Sequence, residues 1–140
     1  MKHCLALAAA VWLAVTALAA GPALAAERSV VGVWRTPERG GVIDISECGT
    51  GVCGKVLGGS SGDPLDSKNK DPALRSRSLI GISIFRNLRS SGGSWKGQIY
   101  NPDDGGMYDV TLTRKSPTQL GVRGCIVWPL CRSKVWERVK

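Results

Sequence analysis

The chain has 140 residues with 19 Lys or Arg, 11 Asp or Glu and a formal net charge of +8 at pH 7, a length that suits one domain rather than two. Its only histidine, His3, lies in a leader that we expect to be removed. The mature chain then has no imidazole for a catalytic triad, for a general base near neutral pH or for a zinc site, which excludes those classes of site.

The first 25 residues have the pattern of a cleaved secretory signal peptide. One lysine precedes an apolar run, a Gly-Pro break follows, and residues 23–25 supply the small-x-small pattern that signal peptidase recognises. A retained membrane anchor is the alternative, because the run over residues 4–20 is long enough to be considered. Cleavage leaves residues 26–140 as a single domain in the periplasm or outside the cell, with 18 basic and 11 acidic residues and no transmembrane segment.

The next elements are strands, and the hairpin over residues 95–113 is the clearest. Its second strand alternates Tyr108, Val110 and Leu112 with Asp and Thr residues, and Pro102 and two glycines suit the turn before it. No segment has a convincing helical period. The count of strands predicts an all-β fold, an eight-stranded antiparallel up-and-down barrel. The predicted strands are 30–35, 42–47, 52–57, 78–85, 97–100, 107–113, 118–124 and 133–139.

Four cysteines remain in the mature chain, at positions 48, 53, 125 and 131. An even number in an exported chain indicates two disulfides. Three pairings are possible, and the spacing favours Cys48 with Cys53 and Cys125 with Cys131, because each pair brackets a short turn. A tetrathiolate metal site is the alternative, but an oxidising compartment opposes it.

One long loop interrupts the strands, over residues 58–75. It is polar, rich in glycine and broken twice by proline, and loops of this length are usually functional or disordered. The spacing of Asp66, Asn69 and Asp71 suggests calcium, but the fixed glycine and closing glutamate of a helix-loop-helix site are absent. We therefore expect these side chains to cap local turns, and we expect no metal or other cofactor.

The first and last predicted strands of the chain resemble those of the lipocalin and fatty-acid-binding proteins, in which an early tryptophan packs over a late arginine. Trp34 lies in the first strand, and Trp136 and Arg138 lie in the last. A guanidinium over an indole face accounts for such a closure of the barrel. A longer series of motifs resembles the domain of unknown function 2147 family, which implies a small exported bacterial protein with a lipocalin-like barrel and no established activity. The series is 45–54, 66–69, 75–81, 97–105, Tyr108, 121–124 and 136–138.

The polar residues within these motifs are the candidate site. Arg77 or Arg123, with Tyr100 and Tyr108, could meet the anionic head group of a small, partly apolar ligand at the mouth of the barrel. That hypothesis fails if Arg77 and Arg123 point outward into solvent. The alternative for each residue is a hydrogen bond or salt bridge at a strand end. The full set of candidates is Asp66, Asn69, Arg75, Arg77, Tyr100, Tyr108 and Arg123.

Two non-catalytic functions follow. The first is the ligand-binding barrel, and the second is an envelope interaction protein with a filled barrel, whose basic surface and long loop contact polysaccharide, lipid head groups or a protein. Trp95 and Trp128 could serve as contact residues in the second. We do not expect an enzyme, because Asp103 and Asp104 are adjacent and diverge in an extended chain. Nucleic-acid binding is not expected either, since the basic residues lack interleaved aromatics and the chain is exported.

Overall fold

The computed structural model describes residues 29–59 and 61–140, so the predicted signal peptide over residues 1–25 lies outside the described part. Eight antiparallel strands, each bonded to the next, close into a barrel through β1 and β8. The predicted all-β, eight-stranded up-and-down barrel is confirmed. No helix among the described residues is long and apolar enough to cross a bilayer. The strands are β1 (Gly32–Arg35), β2 (Val42–Cys48), β3 (Gly51–Gly58), β4 (Phe85–Ser91), β5 (Ser94–Asn101), β6 (Gly106–Ser116), β7 (Gln119–Val127) and β8 (Leu130–Arg138), and a short 3₁₀ helix spans Pro72–Leu74.

Up-and-down topology places alternate connections at opposite ends of the barrel. The β2–β3, β4–β5 and β6–β7 turns and the start of β1 share one end, which we call the closed end. The β1–β2, β3–β4, β5–β6 and β7–β8 connections share the other, the open end. The long β3–β4 loop, residues 59–84, therefore lies at the open end.

Trp34 fills the closed end of the barrel and is fully buried. The Arg138 guanidinium lies 4.9 Å from the centroid of its ring, as predicted, and Arg114 lies 5.2 Å from the same centroid. The indole Nε1 donates a hydrogen bond to the Val30 carbonyl at 2.9 Å. No sequence pattern points to Arg114, whose guanidinium donates to the Ser29 carbonyl at 2.8 Å. Two arginines rather than one thus cover this tryptophan.

The predicted strand over residues 78–85 and the predicted turn over 86–94 are both wrong in position. The strand is Phe85–Ser91, and the turn after it is Gly92 and Gly93, whose φ angles of 58° and 84° suit glycine. Most of this strand is exposed and polar, so it lacks the alternation by which the other strands were recognised. The isoleucine-rich segment before it carried the stronger apolar pattern.

That isoleucine-rich segment runs irregularly beside β3. Ile80 is 61% exposed, and Gly81 has a φ of 90°, a left-handed conformation that interrupts a regular strand. Beyond this point the Val56 amide donates to the Ile82 carbonyl at 3.0 Å, and Ile84 turns into the core. The segment therefore bridges a part of the barrel wall where β3 and β4 pair only at one position.

Both predicted disulfides are present. Cys48 and Cys53 join β2 to β3 near the closed end, with Cα atoms 5.7 Å apart. Cys125 and Cys131 join β7 to β8 near the open end, with Cα atoms 4.0 Å apart. All four sulfurs are used in these bonds, so none is a free thiolate that could bind a metal.

Candidate ligand-binding site

A cavity of about 740 Å³ occupies the barrel and opens at the open end. Its volume lies within the range of about 300–1,000 Å³ that is usual for small-molecule sites. The barrel is therefore not filled by its own side chains. The wall is built from inward-facing apolar positions of several strands and of the segment before β4, which are Ile43, Val56, Ile84, Ile99, Val122 and Trp136.

Charged side chains surround the mouth of the cavity. Arg39, from the β1–β2 loop, pairs with Asp103 of the β5–β6 turn at 2.5 Å, and Lys134 of β8 pairs with Glu38. Arg132 also lines the mouth, and within the described part of the chain it has no carboxylate within ion-pair distance. It is thus the lining cation that is left to meet a ligand's negative charge.

Tyr108 lines the cavity from β6 and is held there by the β5–β6 turn. Its hydroxyl donates to Asp104 Oδ2 at 2.6 Å, while the Gly106 amide donates to Asp104 Oδ1 at 2.7 Å. Burial would raise the pKa of Asp104, but these hydrogen bonds and one from Asn101 outweigh it and lower that pKa. The hydrogen bond to Asp104 raises the pKa of Tyr108. The turn therefore fixes both the carboxylate and the phenol ring.

The long β3–β4 loop is anchored to the barrel by a buried carboxylate. Asp66 is fully buried, and Tyr100 of β5 donates its hydroxyl to Asp66 Oδ1 at 2.5 Å. Asn69 Nδ2 donates to Asp66 Oδ2 at 2.7 Å, and Arg77 meets the same oxygen through Nε at 2.9 Å and Nη2 at 2.8 Å. We call these four residues the Asp66 cluster. Because Tyr100 also lines the cavity, the cluster joins the loop to the cavity wall.

One further contact braces the loop internally, and another seats it on the barrel. Arg75 Nε donates to the Asn69 carbonyl at 2.8 Å. Gly105, in the β5–β6 turn, has a φ of 69°, and a Cβ there would lie 2.0 Å from the Lys68 carbonyl oxygen. Backbone thus packs directly on backbone, which only glycine permits. The loop lies against the turn that carries the mouth residues, and its Leu79 lines the cavity.

The expectation that the loop's polar residues cap local turns holds for Asp71 but not for Asp66. Asp71 accepts a hydrogen bond from the Ala73 amide at 3.0 Å and caps the 3₁₀ helix. Asp66 instead contacts residues up to 34 positions away in the chain. Within residues 29–59 and 61–140, no group of three or more His, Cys, Asp or Glu is placed to hold a metal ion.

The structure separates the four residues predicted to meet a ligand. Tyr100 and Tyr108 line the cavity, but Arg77 is bound to Asp66 and Arg123 is exposed on the outer face, 4.8 Å from the Trp128 ring centroid. Neither arginine lines the cavity, so the geometry gives no support to the head-group contact that was predicted for them.

The strand period could have found the lining cation instead. Side chains of a strand alternate between the inside and the outside, and Arg132 is four residues from the inward Trp136, which places both on one face.

In the Asp66 cluster the pKa of Asp66 is lowered and the pKa of Tyr100 is raised. Burial alone would raise the pKa of Asp66, but hydrogen bonds from Tyr100, Asn69 and Arg77 and the charge of Arg77 lower it overall. For Tyr100, burial, then the hydrogen bond to Asp66 and the negative charge of Asp66, raise the pKa to about 12. The cluster is therefore held as a carboxylate that accepts from a neutral phenol.

These shifts predict a loss of stability at both extremes of pH. Asp66 stabilises the folded protein fully when the pH is above its pKa in the unfolded chain, about 4. This stabilisation is lost as the pH falls through the lower pKa that Asp66 has in the folded protein. The contribution of Tyr100 is complete below its unfolded pKa of about 10 and is lost as the pH rises through the folded pKa of about 12. Urea unfolding across pH, followed by circular dichroism, measures both limbs.

Tyr100→Phe should make the loss of unfolding free energy at alkaline pH smaller. Tyr108→Phe removes the other cavity-lining tyrosine hydroxyl and should leave the alkaline loss that Tyr100 causes unchanged. Identical alkaline limbs for the wild type and Tyr100→Phe would contradict the assignment.

The closed eight-stranded barrel, with an apolar cavity open at one end, has a lipocalin-like fold. The chain belongs to the family DUF2147, described as an uncharacterized protein conserved in bacteria, which matches residues 32–138. Among solved structures, it is similar to protein HP1028 from Helicobacter pylori, described as belonging to the lipocalin family, with 24% identity and a TM-score of 0.73. The match covers 80% of this chain and 84% of that one, and at this identity it shows the fold alone. No curated protein matches the chain.

Proposed function

We propose that this protein binds a small amphiphile without catalysis, with the apolar part of the ligand in the cavity and the polar head at the mouth. The observation that carries this proposal is the cavity of about 740 Å³, whose apolar wall opens onto a charged rim. Burial of apolar surface drives such binding, and a few polar groups orient the ligand. The lipocalin-like fold supports the same function.

The charges at the mouth favour an anionic head group. Arg39 and Lys134 are neutralised by Asp103 and Glu38, so they attract a ligand less than free cations would. Arg132 has no such partner within the described residues and lies beside the entrance. A carboxylate or phosphate placed there would gain a charge-assisted hydrogen bond without breaking an existing pair.

The open cavity weighs against the alternative of a filled barrel that acts only through its surface. The cellular location belongs to the same proposal. We infer that the chain acts in the periplasm or outside the cell, because two disulfides persist mainly in oxidising compartments.

The binding proposal predicts that the fluorescent fatty acid cis-parinaric acid binds the refolded, delipidated protein at one site. Val122→Phe places a phenyl ring in the cavity, so it should weaken binding at least about tenfold, equivalent to about 1.4 kcal/mol. Val135→Phe is the matched control, since Val135 is 41% exposed on the outside of the neighbouring strand. Fluorescence titration measures each affinity, and circular dichroism verifies that both variants fold.

The head-group assignment is tested with the same probe. Arg132→Gln should weaken binding of the acid about fivefold and leave binding of its methyl ester unchanged, because only the acid carries a charge. Arg123→Gln should change neither. Equal binding by the wild type and Val122→Phe would overturn the cavity assignment, and equal binding by the wild type and Arg132→Gln would overturn the head-group assignment.

A further inference from the structure

The β7–β8 turn presents an apolar tip beside the mouth of the cavity. Its four large apolar side chains, Ile126, Val127, Trp128 and Leu130, are 74%, 59%, 72% and 64% exposed. Exposed apolar residues are ordinary when they are scattered singly, but a contiguous group marks a surface that contacts something. Val127 and Trp128 neither pack in the barrel core nor line the cavity, so neither of these explains why the two positions are apolar.

The tip is braced by a disulfide, a backbone hydrogen bond and a cation–π contact. The disulfide between Cys125 and Cys131 brackets it, and the Cys131 amide donates to the Pro129 carbonyl at 2.9 Å. Arg123 stacks on the Trp128 ring from the side of the barrel. This arrangement keeps the apolar side chains displayed to solvent.

The part of this hairpin nearest the tip carries only basic charged residues. Between Gln119 and Lys134 the sequence contains Arg123, Arg132 and Lys134 but no Asp or Glu. The Asp109 carboxylate lies on the adjacent strand, in register with Cys125. Lys134 is paired with Glu38, so the hairpin combines an apolar tip with two cations, Arg123 and Arg132, that have no ion-pair partner among the described residues.

We propose that this tip docks the protein on an anionic lipid bilayer. A tryptophan beside apolar residues suits the boundary between lipid head groups and acyl chains, and nearby Arg and Lys gain from anionic head groups. A protruding tip can enter a fluid lipid surface without a matching pocket, whereas a protein partner would have to supply one. Lipid therefore fits this surface better than a protein.

Docking through the tip would bring the mouth of the cavity to the membrane. Ile126 and Leu130 line the mouth as well as the tip, so the entrance and the docking surface are continuous. The docking proposal stands on the tip alone and holds whatever the cavity binds.

The test is sedimentation of the disulfide-bonded mature protein with sucrose-loaded vesicles. We expect binding to phosphatidylcholine vesicles that contain phosphatidylglycerol, weaker binding to phosphatidylcholine alone, and a decrease with added salt. The double variant Trp128→Ser with Leu130→Ser should reduce the partition coefficient at least about tenfold, because it removes most of the inserted apolar area. Arg123→Gln should reduce it about fivefold on anionic vesicles.

Matched controls lie at or towards the closed end. Val139→Ser changes an apolar residue that is 44% exposed there, and Lys96→Gln removes an exposed cation; neither should alter vesicle binding. Quenching of tryptophan fluorescence by brominated phosphatidylglycerol should disappear in Trp128→Phe. Failure of the wild type to sediment with anionic vesicles would overturn the proposal, and so would equal sedimentation of the tip variant. A dimer in analytical ultracentrifugation that the tip variant dissociates, without vesicle binding, would instead assign the tip to contact between copies.

Discussion

Trp34→Ala is expected to destabilise the barrel by about 4 kcal/mol, the largest effect of a single truncation in this chain. Trp34 is fully buried at the closed end, where β1 pairs with β8 and where the guanidinium groups of Arg114 and Arg138 both contact the indole ring. Removing the indole leaves a cavity. It also removes the π face that both cations contact and the donor to the Val30 carbonyl.

Burial also lowers the pKa of Arg114, and the charge of Arg138 adds to this effect. The two guanidinium groups repel each other, and the indole is the group that both of them contact. Because both cation–π contacts are lost together with the buried ring, the loss should reach at least the middle of the range of about 3–5 kcal/mol for truncation of a buried aromatic side chain.

Urea unfolding at neutral pH measures the difference between Trp34→Ala and the wild type. Trp128→Ala is the matched control, because the same change at a residue that is 72% exposed should cost about 0.5 kcal/mol or less. Equal losses at the two positions would show that Trp34 does not hold the closed end together.

Asp66→Ala is expected to destabilise the protein by about 3 kcal/mol and to release the β3–β4 loop. The substitution removes the acceptor for three donors at once, so the buried Tyr100 hydroxyl loses its acceptor and Arg77 its counter-ion. Most of the lost stability comes from the Tyr100 hydroxyl and the Arg77 guanidinium, which are left without their hydrogen-bond acceptor. Because Arg77 remains partly exposed and can be hydrated, the loss should lie at the low end for a broken buried ion pair.

The loop offers a local measurement in addition to the overall stability. Lys68, Lys70 and Arg75 lie within it, so trypsin should cut the loop of Asp66→Ala much faster than that of the wild type while the barrel remains folded. Asp71→Ala is the control in the same loop, since it removes only the cap of the 3₁₀ helix and should cost about 1 kcal/mol. Wild-type resistance to trypsin in Asp66→Ala would contradict the anchoring role.

The Asp66 cluster also links the loop to the proposed binding site. Tyr100 donates its hydroxyl to Asp66 and presents its ring to the cavity, while Leu79 reaches the same cavity from the loop. A loop released by Asp66→Ala would therefore open one side of the cavity wall. We expect cis-parinaric acid to dissociate faster from that variant, and stopped-flow displacement measures the rate.

The sequence by itself determined the features that depend on local spacing. The two-residue alternation and the turn residues of the 95–113 hairpin predicted β5, β6 and the turn between them. Both disulfides followed from cysteines five and six positions apart, since strands joined by a short turn must lie side by side. The pairing of Trp34 with Arg138 followed from a family resemblance. Strand period and turn chemistry repeat within a few residues, so a reader of the sequence can recognise them.

Only the tertiary structure decided which side chains meet in the site. Asp66 and Tyr100 are 34 residues apart, and nothing near either one indicates that packing of the loop would bury the carboxylate against the phenol. The strand β4 was misplaced because its residues are polar and exposed, so no alternation marks it. Arg123 faces outward while Arg132 lines the cavity, because successive side chains alternate across a barrel wall and a shift of one residue exchanges the two faces. Whether the interior was filled or open depended on how eight strands close together, a property of the whole barrel that no single segment carries.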